Sequence, residues 1–325
     1  MTDAIRIEAF GGPEQLQLAS VPAATPGPGE VRIRQTHIGV NYIDIYFRTG
    51  LYSPASMPFT PGLEAAGEVM AVGEGVTGLT AGQQVAYVGG PPGAYATDRV
   101  IAADRVVALP AAVSSGQAAA MMLKGLTAHM LLQRVCAVQP GDRVLIHAAA
   151  GGVGLLLCQW AQSLGATVIG TVGSPEKAEL ARANGCDHPI LYRDEDIAAR
   201  VRAITDGAGV RVAYDSVGAD TLTASLASLA KRGLLVSFGQ SSGAPPAIAV
   251  GQLAAGGSLF LTRPSLFDYI GTAAELQSAA EALFAMVAAD RLRVRIDSEW
   301  PLGEAAAAHQ RLASRQSTGS IILRA

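Results

Sequence analysis

The pattern of apolar positions changes twice along the chain. Over residues 5–109 the apolar residues come in short runs, "EVRIRQTHIGV", "AAGEVMAVGEGV", "QQVAYV" and "RVVALP", broken by Gly, Pro and Asn. Short strand-like runs separated by turn residues predict a small, coiled antiparallel sheet or barrel. In "SSGQAAAMMLKGLTAHMLLQRV" the period lengthens to helical spacing, with Ser114 or Ser115 placed as N-cap, which predicts a long connecting helix. Strand-like and helix-like segments then alternate: "RVLIHAA", helix 152–164, "TVIGTV", helix 175–184, "HPILY", helix 197–204, "VRVAYDSV", helix 221–230, and the strands "GLLVSFG" and "SLFLT". Near-continuous apolar strands between helices predict a doubly wound parallel sheet covered on both faces. After Pro264 come the helical "TAAELQSAAEALFAMVAADRL" and strands near "VRIDSEW" and "GSIILRA", the last of which is expected to rejoin the first sheet.

Length turns these patterns into domains. A chain of 325 residues exceeds what one core usually serves. The expected division is a β-barrel domain over 1–124 and 266–325, with a Rossmann domain inserted over 125–265. Half the residues are hydrophobic and 16% are charged, which fits compact folding. A net charge of -3 provides no field to gather nucleic acid or an anionic membrane, so a small-molecule partner is expected. The start "MTDAIRIEAFGGPEQL" has no basic or apolar targeting region, and no apolar run reaches the roughly 18 residues of a membrane span, so a cytoplasmic protein is expected. Cys136, Cys158 and Cys186 are widely spaced with no CxxC, and read as packed thiols rather than a disulfide framework or zinc lobe.

The chemistry concentrates after the first strand of the alternating region. Ala149, Ala150, Gly151, Gly152, Val153 and Gly154 match a G-x-G-x-x-G fingerprint with Ala in first place. A strand precedes it and a helix opens within it, so helix N-terminal amides are placed to receive a pyrophosphate. About 20 residues on, such folds usually end the second strand in Asp or Glu, which accepts from the adenosine ribose. Here the strand ends in Gly173 and Ser174. With Lys177 in the next helical turn and Tyr192 ending the following strand, that end suits the 2'-phosphate of NADPH. The plain alternative is that Lys177 is a solvated surface lysine.

Many ordered motifs, "IGVNYIDIYFRTGLY", "PGLEAAGEV", "LKGLTA", "HAAAGGVG", "GTVGSPEKA", "YDSVG", "GLLVSFGQSSG" and "LTRPSL", carry an end-to-end resemblance. The chain resembles the zinc-free, zeta-crystallin-like quinone oxidoreductases of the medium-chain dehydrogenase/reductase superfamily, most closely the bacterial NADPH:quinone reductases. That resemblance implies a GroES-like β-barrel catalytic domain with the Rossmann domain, and usually a homodimer joined by edge strands of the Rossmann sheets. It puts Asn41, Tyr46 and Tyr52 around the acceptor, where an amide and two phenols can hydrogen-bond a carbonyl that gains charge; read without it, they are a turn residue and packing residues. It adds Asn41, Thr127, Ser216, Val217, Phe238, Gly239, Ser241 and Arg263 to the cofactor contacts, Arg263 alternatively forming an edge salt bridge and Asp215 serving as a structural acceptor. Zinc-dependent relatives carry a Cys where this chain has Gly39 and a His where it has Leu63, and His37, His129, His147, His188 and His309 have no ligand-like spacing to a Cys, so no metal is expected. The function implied is NADPH-dependent quinone reduction without zinc. An alkenal or enone double-bond reductase and a non-catalytic NADPH- or RNA-binding protein are the alternatives.

Overall fold

A computed structural model describes residues 1–325. They divide into two compact units, one of Met1–Leu126, Ile270–Ala289 and Val294–Ala325, the other of Thr127–Tyr269 and Asp290–Arg293.

The first unit opens with β1 (Thr2–Arg6), β2 (Gln17–Val21), β3 (Glu30–Val40), α1 (Tyr42–Arg48), β4 (Glu64–Val72), β5 (Gln84–Val88), β6 (Asp98–Ala102) and β7 (Val106–Ala108), and then enters α2 (Ser115–His129). β1 and β2 form a separate antiparallel pair. In the main sheet β3 is the hub: β4 pairs with it over Val31–Ile38, and β6 pairs with it over Glu30–Arg34. Side chains on the inner face of the sheet, among them Ile33, Val69, Tyr87 and Ile101, build the core with Ile5 and Tyr95. As expected, the Ser114 hydroxyl caps α2, accepting from Gln117 N at 3.2 Å.

The second unit contains β8 (Arg143–Ile146), α3 (Gly152–Ser163), β9 (Thr167–Val172), α4 (Pro175–Arg182), β10 (His188–Leu191), α5 (Ile197–Ile204), β11 (Val210–Asp215), α6 (Leu222–Ser228), β12 (Leu229–Ser237), α7 (Val250–Ala255), β13 (Phe260–Thr262) and α8 (Leu266–Tyr269). Its strands form one sheet in the order β10-β9-β8-β11-β12-β13. All the pairings are parallel, and the order reverses direction at β8. The chain then returns to the first unit with α9 (Ala273–Ala288), β14 (Ile296–Pro301), α10 (Ala305–Ala313) and β15 (Ser320–Arg324). β15 pairs antiparallel with the end of β3, as the sequence led one to expect of "SIILR".

Among the expected helices the connecting helix and the one over 221–230 depart from expectation, and α1, α7, α8 and α10 were not expected at all. The connecting helix gives way at Met130–Val135 to a π-helical segment. There the Leu131 carbonyl accepts from Cys136 N at 3.2 Å and from the Tyr214 hydroxyl at 3.1 Å. The helix expected over 221–230 stops at Ser228, because the Arg202 guanidinium takes the carbonyls of Ala227 and Leu229 at 2.9 and 2.8 Å and Leu229 already starts β12. The three cysteines are free and buried. No helix is long and apolar enough to cross a membrane.

Candidate functional site

The fingerprint turn lies where β8 ends. Gly151 is the N-cap of α3, and Gly152 and Val153 are its first residues, so the amides of a 12-residue helix open at this turn. Ala148 adopts φ 52°, turning the chain back so that Gly151 N reaches the Ala148 carbonyl at 2.9 Å. Gly154 cannot be replaced by a larger residue without a shift: a Cβ there would stand 2.2 Å from the Ala148 carbonyl oxygen. That is the close helix-to-strand approach a dinucleotide turn requires. Beneath it His147 is buried between the hydroxyls of Thr171 (3.0 Å) and Ser225 (2.9 Å). Ser225 donates to Asp215, so it accepts from His147 Nε2–H. Burial holds the His147 pKa below its ordinary value.

At the end of β9 the expected residues come together. The Ser174 hydroxyl caps α4, accepting from Lys177 N at 3.3 Å, and Lys177 is half-buried in the first turn. Tyr192 lies over Gly173, its hydroxyl 2.9 Å from where a Cβ at 173 would stand. No carboxylate ends the strand. Sequence reasoning missed Glu176, a fully exposed carboxylate whose pKa is lowered chiefly by a hydrogen bond from Ser174. It borders this end, on the solvent side.

Asp215 is a structural acceptor, as read from the sequence. Buried at the end of β11, it takes the amides of Val217 (2.9 Å) and Gly218 (3.0 Å), together with the hydroxyls of Thr221 and Ser225. This shapes the Ser216–Val217 loop, which is stitched to the next loop by Ser241 N to the Ser216 carbonyl (3.2 Å) and Ser242 N to the Val217 carbonyl (2.8 Å). Gly239 lets the two loops touch, since a Cβ there would be 2.6 Å from the Ser216 carbonyl oxygen. Phe238 is half-buried beside them. Arg263 makes no salt bridge here; it donates to Ser237 Oγ (3.3 Å) and Gln240 Oε1 (3.0 Å). Thr127 is buried on α2.

In the first unit, Asn41 is the buried N-cap of α1, and its backbone N–H is taken by the Asp44 carboxylate at 2.8 Å. The Tyr46 and Tyr52 rings meet edge to face at 5.4 Å, and Tyr52 N bonds the Tyr46 carbonyl at 3.1 Å. The Asn41 side chain donates to Glu64 Oε1 at 2.7 Å, and Lys124 Nζ reaches the same oxygen at 3.2 Å. The sequence reading did not single out Glu64 and Lys124 as a pair. A lysine inside the apolar run "AAAMMLKGLTAHMLL" was the available signal, because a buried cation requires a partner.

The residues at this place do not fit a zinc ion. Gly39 and Leu63 offer no ligand, Glu64 is committed to Lys124, Asn41 and Leu123 N, and no three His, Cys, Asp or Glu side chains gather as a metal site anywhere in the chain.

Comparison with known proteins agrees with both halves of the fold. A family model described as the alcohol dehydrogenase GroES-like domain matches residues 27–111, and one described as zinc-binding dehydrogenase matches residues 152–285. The chain is 48% identical over 323 residues to a quinone oxidoreductase of Pseudomonas aeruginosa, with 99% of each chain covered. It is 45% identical over 329 residues to a 2-haloacrylate reductase of Burkholderia, again with 99% of each covered. The crystal structure of Escherichia coli quinone oxidoreductase complexed with NADPH superposes with a TM-score of 0.98 at 46% identity, covering 100% of both chains. With that likeness running through both units, the chain belongs to the quinone oxidoreductase family of medium-chain dehydrogenases/reductases.

Proposed function

We propose that this protein is an NADPH-dependent quinone reductase that works without a metal ion. The observation that carries the reading is the end of β9, where Gly173 and Ser174 replace the usual carboxylate and Tyr192 lies over the glycine, in a chain similar from end to end to quinone oxidoreductases. Bound NADPH supplies a hydride. The α3 amides at Gly152 and Val153 hold the pyrophosphate, while Ser174, Lys177 and Tyr192 hold the 2'-phosphate. The loops at Ser216, Val217, Phe238, Gly239 and Ser241, with Thr127 and Arg263, orient the rest of the cofactor. Asn41, Tyr46 and Tyr52 hydrogen-bond the acceptor carbonyl as its oxygen gains charge. A quinone is electrophilic enough to take hydride once positioned, so no Lewis acid is needed.

The similarity to a 2-haloacrylate reductase supports a second reading, reduction of an activated carbon–carbon double bond with the same hydride. NADPH consumption by chelator-treated protein, followed across quinones and 2-enoates, separates the readings. Quinones should be reduced at the full rate. Activity that vanished on chelation and returned with zinc would refute metal independence, and faster turnover of enoates would favour the second reading.

We also infer a homodimer. Phe260 and Leu261, on opposite faces of the edge strand β13, are 60% and 42% exposed, and strands of a parallel sheet are normally covered on both faces.

A further inference from the structure

Glu64 and Lys124 form an ion pair whose side chains are 0% and 8% exposed. Such a pair is a poor source of stability, because stripping water from both charges offsets their attraction. Its arrangement points to a different use. Glu64 Oε2 accepts from Leu123 N at 2.6 Å, and Oε1 accepts from Lys124 Nζ at 3.2 Å and from Asn41 Nδ2 at 2.7 Å. An ionised carboxylate can only accept, so the Asn41 amide must turn its NH2 toward it; a flipped amide would set Oδ1 against Oε1. The carboxylate thereby decides which edge of the Asn41 side chain donates and which accepts. The space for this comes from Gly39, where a Cβ would stand 2.1 Å from Glu64 Oε1 and 2.4 Å from the Ala119 carbonyl oxygen. The position where zinc-dependent relatives carry a metal-ligating Cys is therefore the clearance that admits the Glu64 carboxylate.

We propose that Glu64, its charge balanced by Lys124, is a positioning residue that locks the Asn41 amide with its donor edge in the orientation used on the acceptor carbonyl. The proposal rests on the reading of Asn41 as an acceptor-binding residue. Glu64→Gln tests it with nearly the same volume. In that variant a single oxygen is left for three donors, Leu123 N–H, Lys124 Nζ and the Asn41 NH2, so the Asn41 amide is no longer held in one orientation.

The experiment is a double-mutant cycle with Asn41→Ala, read as kcat/KM for 1,4-benzoquinone alongside the Kd for NADPH. Each single variant should lose about tenfold or more in kcat/KM measured at saturating NADPH, with any change in the NADPH Kd common to the two, and the double variant should lose no more than Asn41→Ala alone. A Glu64→Gln variant with wild-type kcat/KM, or a loss that multiplies in full on the Asn41→Ala background, overturns the positioning role while leaving the acceptor site standing. An Asn41→Ala variant at the wild-type rate overturns the acceptor-site reading itself, and this proposal with it. Should Glu64→Gln fail to fold with Lys124 left uncompensated, the neutral pair Glu64→Gln/Lys124→Met takes its place in the same cycle and is judged by the same outcomes.

Discussion

Four side chains of the first unit show how donor and acceptor rules fix protonation at a single residue. Arg48 Nη1 can only donate, so His309 Nδ1, 3.2 Å away, accepts, and the His309 proton sits on Nε2. Nε2–H then donates to the Tyr95 oxygen at 2.9 Å, and the Tyr95 hydroxyl donates to Asp44 Oδ2 at 3.1 Å. Asp44 Oδ1 is buried with no partner. Burial accordingly raises the Asp44 pKa to about 7, with Asn41 N–H and the Tyr95 hydroxyl opposing it. Burial, with Arg48 adding to it, lowers the His309 pKa to about 3. The two have opposite effects on stability. Between about pH 4 and pH 7 folded Asp44 keeps a proton that the unfolded chain releases, so its contribution falls as pH rises. Between pH 6.5 and about 3 the unfolded chain protonates His309 and the folded one does not, so that contribution falls as pH drops. Asp44→Asn retains an oxygen acceptor for Asn41 N and Tyr95 and removes only the first effect. Denaturant unfolding at several pH values should show the stability of Asp44→Asn gaining on wild type as pH rises from 4 to 7, by roughly 1.4 kcal/mol per unit. Parallel curves would mean that Asp44 ionises in the folded protein much as it does in the unfolded chain.

At the scale of elements, the proposed function makes β9, α4 and β10 one device for reading the cofactor's adenosine end. Lys177→Ala removes a hydrogen bond to a charged group, worth about 1.5 to 3 kcal/mol, and should weaken NADPH binding roughly ten- to a hundredfold while barely changing NADH. Gly173→Asp should reverse the preference by two routes. It adds a carboxylate that repels the phosphate and accepts from the ribose, and its Cβ, 2.9 Å from the Tyr192 hydroxyl, pushes that donor aside. Titrating both cofactors into both variants checks this; a Lys177→Ala loss shared equally by NADH would show that the lysine does not read the phosphate. These elements were legible in sequence because each is local: "TVIGTV" is β9 residue for residue, and Ser174-Pro175 marks the start of α4 by cap and N1 proline. α1 was not legible. It has only seven residues, "YIDIYFR", rich in aromatic and β-branched side chains, and it is held by the Asn41–Asp44 capping contact and by partners as distant as Tyr95 and His309. The Glu64–Lys124 pair escaped for the same reason: 60 residues separate them, and only the pairing of β3 with β4 and the approach of α2 bring them together.

For the molecule as a whole, the resemblance implies a homodimer joined by edge strands of the Rossmann sheets, and β13 is one such edge. β13 has only three residues and pairs on one side with β12, so its outer side presents unpaired backbone groups. Solitary exposed apolar side chains require no account, but Phe260 and Leu261 are neighbours on that edge and point to opposite faces. A second copy meeting the strand across a two-fold axis would pair the backbone and cover both side chains with the same residues of its partner, as an isologous contact requires. Phe260→Lys and Leu261→Lys together put charges on the edge, the device by which sheet edges resist pairing. Sedimentation equilibrium should find wild type at twice the chain mass and the double variant at the chain mass. A monomeric wild type, or a double variant still at twice the chain mass, would place the interface elsewhere or remove it.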